Sequence, residues 1–286
     1  TVTAQCKDAF RVSASTTIKN GKIVSEARCV NTRQRVDLVL QNLELMATSL
    51  KHGNPQPITI GGSAHGTTTV DMSNVSVDFA ANCPGYSIIS FVQTNLTATE
   101  CQFTNAYNVL YAREDNASNS VFTFNDCHMY AKSPAYAESN AFALIAIRAN
   151  NVIVNINGSL LHCDGQVSAL NLHGENASTL TGNVYATGCT IKLSADTEVI
   201  GDMILESNEN FSKNTIYLPA TEAYINKLTE ENFWVKENGD GTVTPLKSVS
   251  FEDNDFAYTN DTDLENMDVT YTRTFSYSGV WNAVFF

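Results

Sequence analysis

A six-residue phrase recurs along this chain and limits what the chain can fold into. The segments KNGKIV, QNLELM, SNVSVD, TECQFT, NDCHMY, NGSLLH, TGCTIK and KNTIYL align without gaps, and their third residues are Gly21, Leu43, Val75, Cys101, Cys127, Ser159, Cys189 and Thr215. Successive copies stand 22, 32, 26, 26, 32, 30 and 26 residues apart. A period in that range predicts a solenoid, in which each repeat buries its apolar face only by stacking on its neighbours.

The chemistry of two columns says which solenoid. The residue before the aligned position is Asn20, Asn42, Asn74, Glu100, Asp126, Gly158, Gly188 or Asn214. Asn, Asp and Gly accept the left-handed backbone region at low cost, so each copy is expected to bend sharply there. Two residues after the aligned position the column reads Ile23, Leu45, Val77, Phe103, Met129, Leu161, Ile191 and Tyr217. Apolar residues at every second position mark a strand with one buried face.

Between the bends, SIISFVQ, NVLYARE, AFALIAIR, NVIVNI and DMILES are also strand-like, with Asn, Gly and Ser at the breaks. Three short strands and three turns per copy describe one coil of a parallel β-helix, with like residues stacked at the strand spacing of ~4.8 Å. Cys101, Cys127 and Cys189 then become small apolar fillers of the interior. A metal or redox role for them is disfavoured, because in-register thiols lie side by side with no His beside them.

The start TTIKNGKIVS, the phrase NVIVNINGSLL and the bend column of Asn resemble the right-handed parallel β-helix proteins of the pectate-lyase-like superfamily, over roughly Ser13 to Leu228. That superfamily includes polysaccharide lyases, glycoside hydrolases, phage tailspikes and non-catalytic bacterial surface proteins, so the resemblance implies a fold more than an activity. The expected architecture is all-β: a right-handed, single-stranded parallel β-helix of about eight coils over residues 1–228, with an N-terminal cap at Ala4 to Val12. Residues 229–249 read as a capping β-hairpin, since NFWVKENGDGTVTPL alternates on both sides of Asn238-Gly239-Asp240-Gly241. Its NGDGT turn is similar to hairpins that follow such repeats in secreted bacterial proteins.

Residues 250–286 read as an acidic linker followed by the start or remnant of a second β domain. The closing phrase with YTRTF and Trp281 resembles the opening of a β-sandwich in Bacteroidetes surface proteins. The Asp-rich NDTDLEN offers oxygen ligands for calcium but lacks the loop order of a calcium site, so a solvated linker and no cofactor are expected.

Composition narrows the function. A net charge of −13 with only 17 Lys and Arg disfavours nucleic acid, whose phosphates need clustered cations. No apolar run approaches the ~20 residues of a membrane-spanning helix, and the first residues do not have the order of a signal peptide. Seven cysteines without a CxxC pair do not form a disulfide framework or a zinc motif.

On a solenoid, side chains from successive coils converge on one outer face. Aligning the strands on their breaks gives an outward column of Gln93, Arg113, Arg148, His173 and Glu206, with Phe91, Tyr111, Ala146, Asn171 and Ile204 two residues earlier. Phe91, Gln93, Tyr111, Arg113, Arg148, Asn171 and His173 are therefore the candidate ligand-binding residues. Aromatic faces for sugar rings beside cations and amides suit an acidic glycan. The plainer reading leaves Arg113 and Arg148 as solvated partners of Glu114, Asp115 or Glu175.

No catalytic constellation emerges: the outward columns gather no three carboxylates for a calcium-dependent lyase, and the NTD, DD and GHG phrases of polygalacturonase-like hydrolases are missing. The expectation is a non-catalytic, extracellular bacterial surface protein, adhesin-like or glycan-binding, whose partner is a carbohydrate or another host or cell-surface ligand. A polysaccharide lyase or glycoside hydrolase acting on an acidic glycan, and a structural spacer, are the alternatives.

Overall fold

The computed structural model describes residues 1–61, 66–81, 83, 85–113, 115–132, 143–164, 168–171, 188–204, 214–230, 233–246, 256–257 and 272–273. The chain divides into two compact units, Thr1–Ile216 and Tyr217–Phe286. The first is all-β in its described residues apart from one 3-10 turn at Asp115–Ala117.

Its strands stack in two parallel ladders. One ladder runs through Asp8–Val12, Arg28–Thr32, Ile58–Ile60, Tyr86–Ser90, Asn108–Ala112, Ala143–Ile147, Ser168–Asn171 and Asp202–Ile204. The other begins with the long strands Thr16–Ser25, Asp37–Ala47 and Thr68–Phe79, which pair parallel over their whole length. Above Thr68–Phe79 this ladder divides. Thr94–Thr99, Val121–Asn125, Ile153–Asn157 and Thr190–Leu193 continue one branch, and Gln102–Ala106, His128–Lys132, Leu160–Asp164 and Glu198–Ile200 continue the other. Each coil thus visits one branch, bends, visits the other, and crosses to the first ladder.

The bend lies where its column predicts. Asn20, Asn42, Asn74, Glu100 and Asp126 all have φ between 49° and 59°, and Gly158 has φ 55°. The asparagines also cross-link the coils, because Asn42 Nδ2 donates to Asn20 Oδ1 at 3.1 Å and Asn74 Nδ2 to Asn42 Oδ1 at 3.0 Å. Each amide so bonded offsets part of the strain of its left-handed backbone.

The last two copies of the phrase belong elsewhere. Leu160 pairs with Glu198 rather than with Thr190, so Thr197, not Cys189, continues the Cys101–Cys127–Ser159 column. Cys189 follows Gly188 (φ 69°), which caps a second left-handed column containing Asn119 (φ 60°) and Asn151 (φ 54°). A Cβ on Gly188 would lie 2.4 Å from Asn151 Oδ1, so that side chain would have to move, and the backbone there is in the region that favours glycine. Thr215 donates its backbone N–H to Cys189 O at 2.8 Å, which sets it opposite Thr190 in this branch, two residues past the left-handed column.

The apolar column forms the core. Ile23, Leu45, Val77, Phe103, Met129 and Leu161 are in register and nearly or fully buried. Ile191 is also buried, but it stacks on Val154, Phe122 and Leu96 in the other branch. At the start, Val2–Ala4 pairs parallel with Ile23–Ser25 and Asp8–Val12 with Arg28–Thr32, so the segment read as an N-terminal cap contributes strands to both ladders.

The thiols follow their burial. Cys29, Cys101, Cys127, Cys163 and Cys189 are buried, Cys83 is half-buried and Cys6 is exposed, and none of the seven is in a disulfide. Burial pushes the Cys29 thiol up to about 11. Cys127 is pushed up first by its hydrogen bond with Cys101 and then by burial. Reaction with an aromatic disulfide reagent near pH 8 should modify Cys6 at once and Cys83 more slowly, with the five buried thiols reacting only on unfolding. Rapid reaction of three or more thiols in the folded protein would contradict this packing.

The second unit contains the helix Glu222–Glu230. It interrupts the stretch read from sequence as coil, and its cause is local. Thr221 caps the helix, with Ile225 N–H bonded to Thr221 O at 3.0 Å, and Tyr224 and Leu228, four residues apart, bury the same stripe. Trp234–Glu237 and Thr242–Leu246 then pair antiparallel around Asn238–Gly241, where Gly239 and Gly241 have φ 78° and 84°. Phe256–Ala257 pairs antiparallel with Thr272–Arg273. The calcium-ligand reading of NDTDLEN lies outside the described residues.

Candidate functional site

The candidate face lies on the ladder from Asp8–Val12 to Asp202–Ile204, and the register revises its columns. Ile89, Tyr111, Ala146 and Asn171 stand opposite one another. Phe91 therefore is not the neighbour of Tyr111. It occupies the position one residue past its strand, as Arg113 and Arg148 do: Phe91 N–H bonds to Ile60 O, Arg113 N–H to Ser90 O and Arg148 N–H to Ala112 O, at 2.8–2.9 Å.

This alignment brings aromatic and cationic groups together. The Arg113 guanidinium lies over the Phe91 ring, 5.6 Å from its centroid, and Arg113 is exposed. One coil on, Arg148 Nη1 donates to Tyr111 Oη at 3.1 Å, and both residues are only 6% exposed. Tyr86 packs its ring on Tyr111 at 5.3 Å and on Tyr107 at 6.4 Å, and its hydroxyl accepts from Asn54 Nδ2 at 3.2 Å. Ile89, Tyr111 and Ala146 form a small buried cluster under the half-buried Tyr86 and Phe91.

The face has two levels: an accessible rim of Phe91, Arg113 and Tyr86, and a buried layer of Tyr111 and Arg148. The column read as solvent-facing places Arg148 in the buried layer, since its guanidinium hydrogen-bonds to the Tyr111 hydroxyl. Gln93 stands apart, two residues beyond Phe91, where its side chain donates to Asn119 O at 3.2 Å and braces a turn. Asn171 is placed by its backbone opposite Ala146, while its side chain, His173 and Glu206 lie outside the described residues. Ile204 pairs with Leu170, one position away from the column assigned to it.

Tyr86 is the member that sequence reasoning misses. It begins its strand, before the SIISFVQ segment, and alignment from the downstream break does not reach it.

Two other surfaces carry polar chemistry. A groove of about 620 Å³ follows the asparagine bends, with the Lys22–Glu44 ion pair (3.0 Å) and Glu100 on its walls. Farther along, Tyr130 stacks on His162 at 4.7 Å and donates to Asp164 at 3.1 Å, and burial together with that carboxylate pushes the Tyr130 phenol up. Among the described residues no group of three His, Cys, Asp or Glu is placed to hold a metal ion, and no helix is long and apolar enough to cross a membrane.

Comparison with family models, with curated proteins and with solved structures returns no match in any of the three.

Proposed function

We propose that the coils form a right-handed parallel β-helix belonging to an extracellular bacterial surface protein, and that this protein binds an acidic glycan without acting on it chemically. The handedness rests on the rule that a strand returning to a parallel neighbour in the same sheet crosses over right-handed. The surface placement rests on the resemblance to pectate-lyase-like surface proteins.

The observation that carries the binding reading is the Arg113 guanidinium over Phe91 beside the half-buried Tyr86. A sugar ring can lie on the aromatic faces while its carboxylate meets the guanidinium fork. The preference for binding over the lyase and hydrolase alternatives rests on the sequence, whose outward columns gather no three carboxylates and which lacks the NTD, DD and GHG phrases.

The test is a glycan array probed with wild type and with Phe91→Ala/Arg113→Ala. Wild type should select uronate- or sialate-bearing glycans. The double variant should bind them at least about tenfold more weakly, from the loss of one stacking and one cationic contact. Binding unchanged in the variant would remove the site, no binding by wild type would favour the spacer, and release of shorter glycans would establish an enzyme.

A further inference from the structure

Two of the seven cysteines stand on neighbouring rungs of one column, each in the residue after a left-handed corner. Cys101 follows Glu100 (φ 54°) and Cys127 follows Asp126 (φ 52°), and the next residues, Gln102 and His128, stand opposite each other in parallel strands. Cys101 O accepts from His128 N–H at 2.9 Å, so the two coils are bonded at this point. The coil spacing of ~4.8 Å sets the two Cα atoms within the span of about 4.4–6.8 Å that a disulfide bridges. Neither cysteine lies within a strand, so the pleat that keeps in-register side chains apart does not govern them.

The sulfurs lean the right way. Cys101 Sγ donates to Thr99 O and Cys127 Sγ to Asn125 O, each at 3.3 Å. Cys127 Sγ also lies 3.5 Å from Ala98 O, a carbonyl of the coil that holds Cys101, and so reaches across the gap between the coils. The two thiols hydrogen-bond to each other, which holds Cys101 below the ordinary thiol value and pushes Cys127 above it. Other buried thiols have no such neighbour in their column: Cys163 stacks on Ala131.

We propose that Cys101 and Cys127 form a disulfide between neighbouring coils when the chain folds in the presence of a small-molecule disulfide. One cysteine thiolate attacks the sulfur–sulfur bond of the oxidant and displaces one small thiolate. The other then attacks the protein sulfur of that mixed disulfide and displaces the second. The two cysteines are oxidised, the oxidant is reduced to two thiols, and the protons lost by the cysteines pass to them. Both cysteines are only 1–2% exposed in the folded coils, so the exchange takes place before these coils close. The bond joins residues 26 apart and staples the middle of the solenoid, which restricts the unfolded chain. This inference does not depend on the glycan reading.

The test is to refold the full chain from urea with oxidised and reduced glutathione, or with dithiothreitol alone, and then to alkylate the denatured products and map them by mass spectrometry without reduction. The glutathione product should carry alkyl groups on five cysteines rather than on all seven, with the segments of Cys101 and Cys127 joined. Its urea midpoint should be higher by about 1 M than that of the dithiothreitol product. Cys101→Ala should abolish both the linkage and the difference in midpoint. If that variant does not fold, the map of the wild-type linkage decides alone. Seven alkylated cysteines after refolding with glutathione, or a linkage that joins any other pair, overturns the proposal. So does a linked protein that unfolds at no higher urea than the reduced one.

Discussion

Phe103→Ala is expected to lower the unfolding free energy by about 3–5 kcal/mol, near the top of the range for truncating one core side chain. Phe103 has no exposure, lies in register between Val77 and Met129, and meets Phe124 edge-to-face at 6.2 Å and 81°. Its loss removes the transfer term for a whole ring and leaves a cavity. That cavity cannot close readily, because parallel pairing on both sides fixes the spacing of the coils. Urea unfolding of the two proteins, followed by circular dichroism, measures the difference. A loss below ~1 kcal/mol would mean that the coils move together to fill the space, and would contradict a core held at rung spacing. Phe91→Ala is the control, since its half-buried ring should cost much less.

Asp8→Asn is the second large effect. The Asp8 side chain is 1% exposed, with Arg11 Nε at 2.7 Å, Arg28 Nη1 at 3.4 Å and Arg33 Nη2 at 3.7 Å. Neutralising it leaves three cations close together without their shared counter-charge. The expected loss is about 2–4 kcal/mol, below the full range for a buried pair because Arg11 and Arg33 reach solvent.

Burial alone would raise the Asp8 carboxyl, but the hydrogen bond from Arg11, the charge of Arg28 and Asn31 together hold it below its ordinary value of 3.8. A carboxyl depressed in the folded state stabilises fully above the unfolded value and loses that contribution as pH falls through the lower, folded value. Wild type should therefore lose its advantage over Asp8→Asn as the pH drops below about 4. Parallel stability curves for the two proteins across that window would show that the carboxylate is not held by the arginines.

These two sites differ in how visible they are in sequence. Phe103 belongs to a column of apolar residues at fixed offset from the bend, and period and alternation suffice to find it. The Asp8 cluster joins residues one coil apart through a rung that carries no copy of the phrase, so nothing in the local pattern pairs Asp8 with Arg28 or Arg33. The misplacement of Cys189 has another cause. Both left-handed corners use Asn or Gly followed by a small or buried residue and then alternation, so two columns of the solenoid share one sequence signature. Only the hydrogen-bonded register separates them.

The aromatic face shows the same difficulty at finer scale. Alignment on the breaks TN and EDN requires equal distances from strand to turn, but Phe91 and Gln93 precede a turn of different length from the one after Arg113, and the columns slide by two residues. A two-residue slip keeps the same face of the strand. The face is therefore legible in the sequence, although its pairs are not.

The coil from Thr94 to Asn119 carries its own left-handed corner residues, Glu100, Asn105 and Asn119, with φ 54°, 56° and 60°, and its three strands pair with the coils on either side. It is a self-contained cassette. A tandem duplication of these 26 codons would insert one more rung, moving everything beyond it by ~4.8 Å without asking any other residue to change its partner type. Such a lineage can change its reach in uniform increments by recombination, while a globular domain would need coordinated substitutions throughout its interior to grow at all.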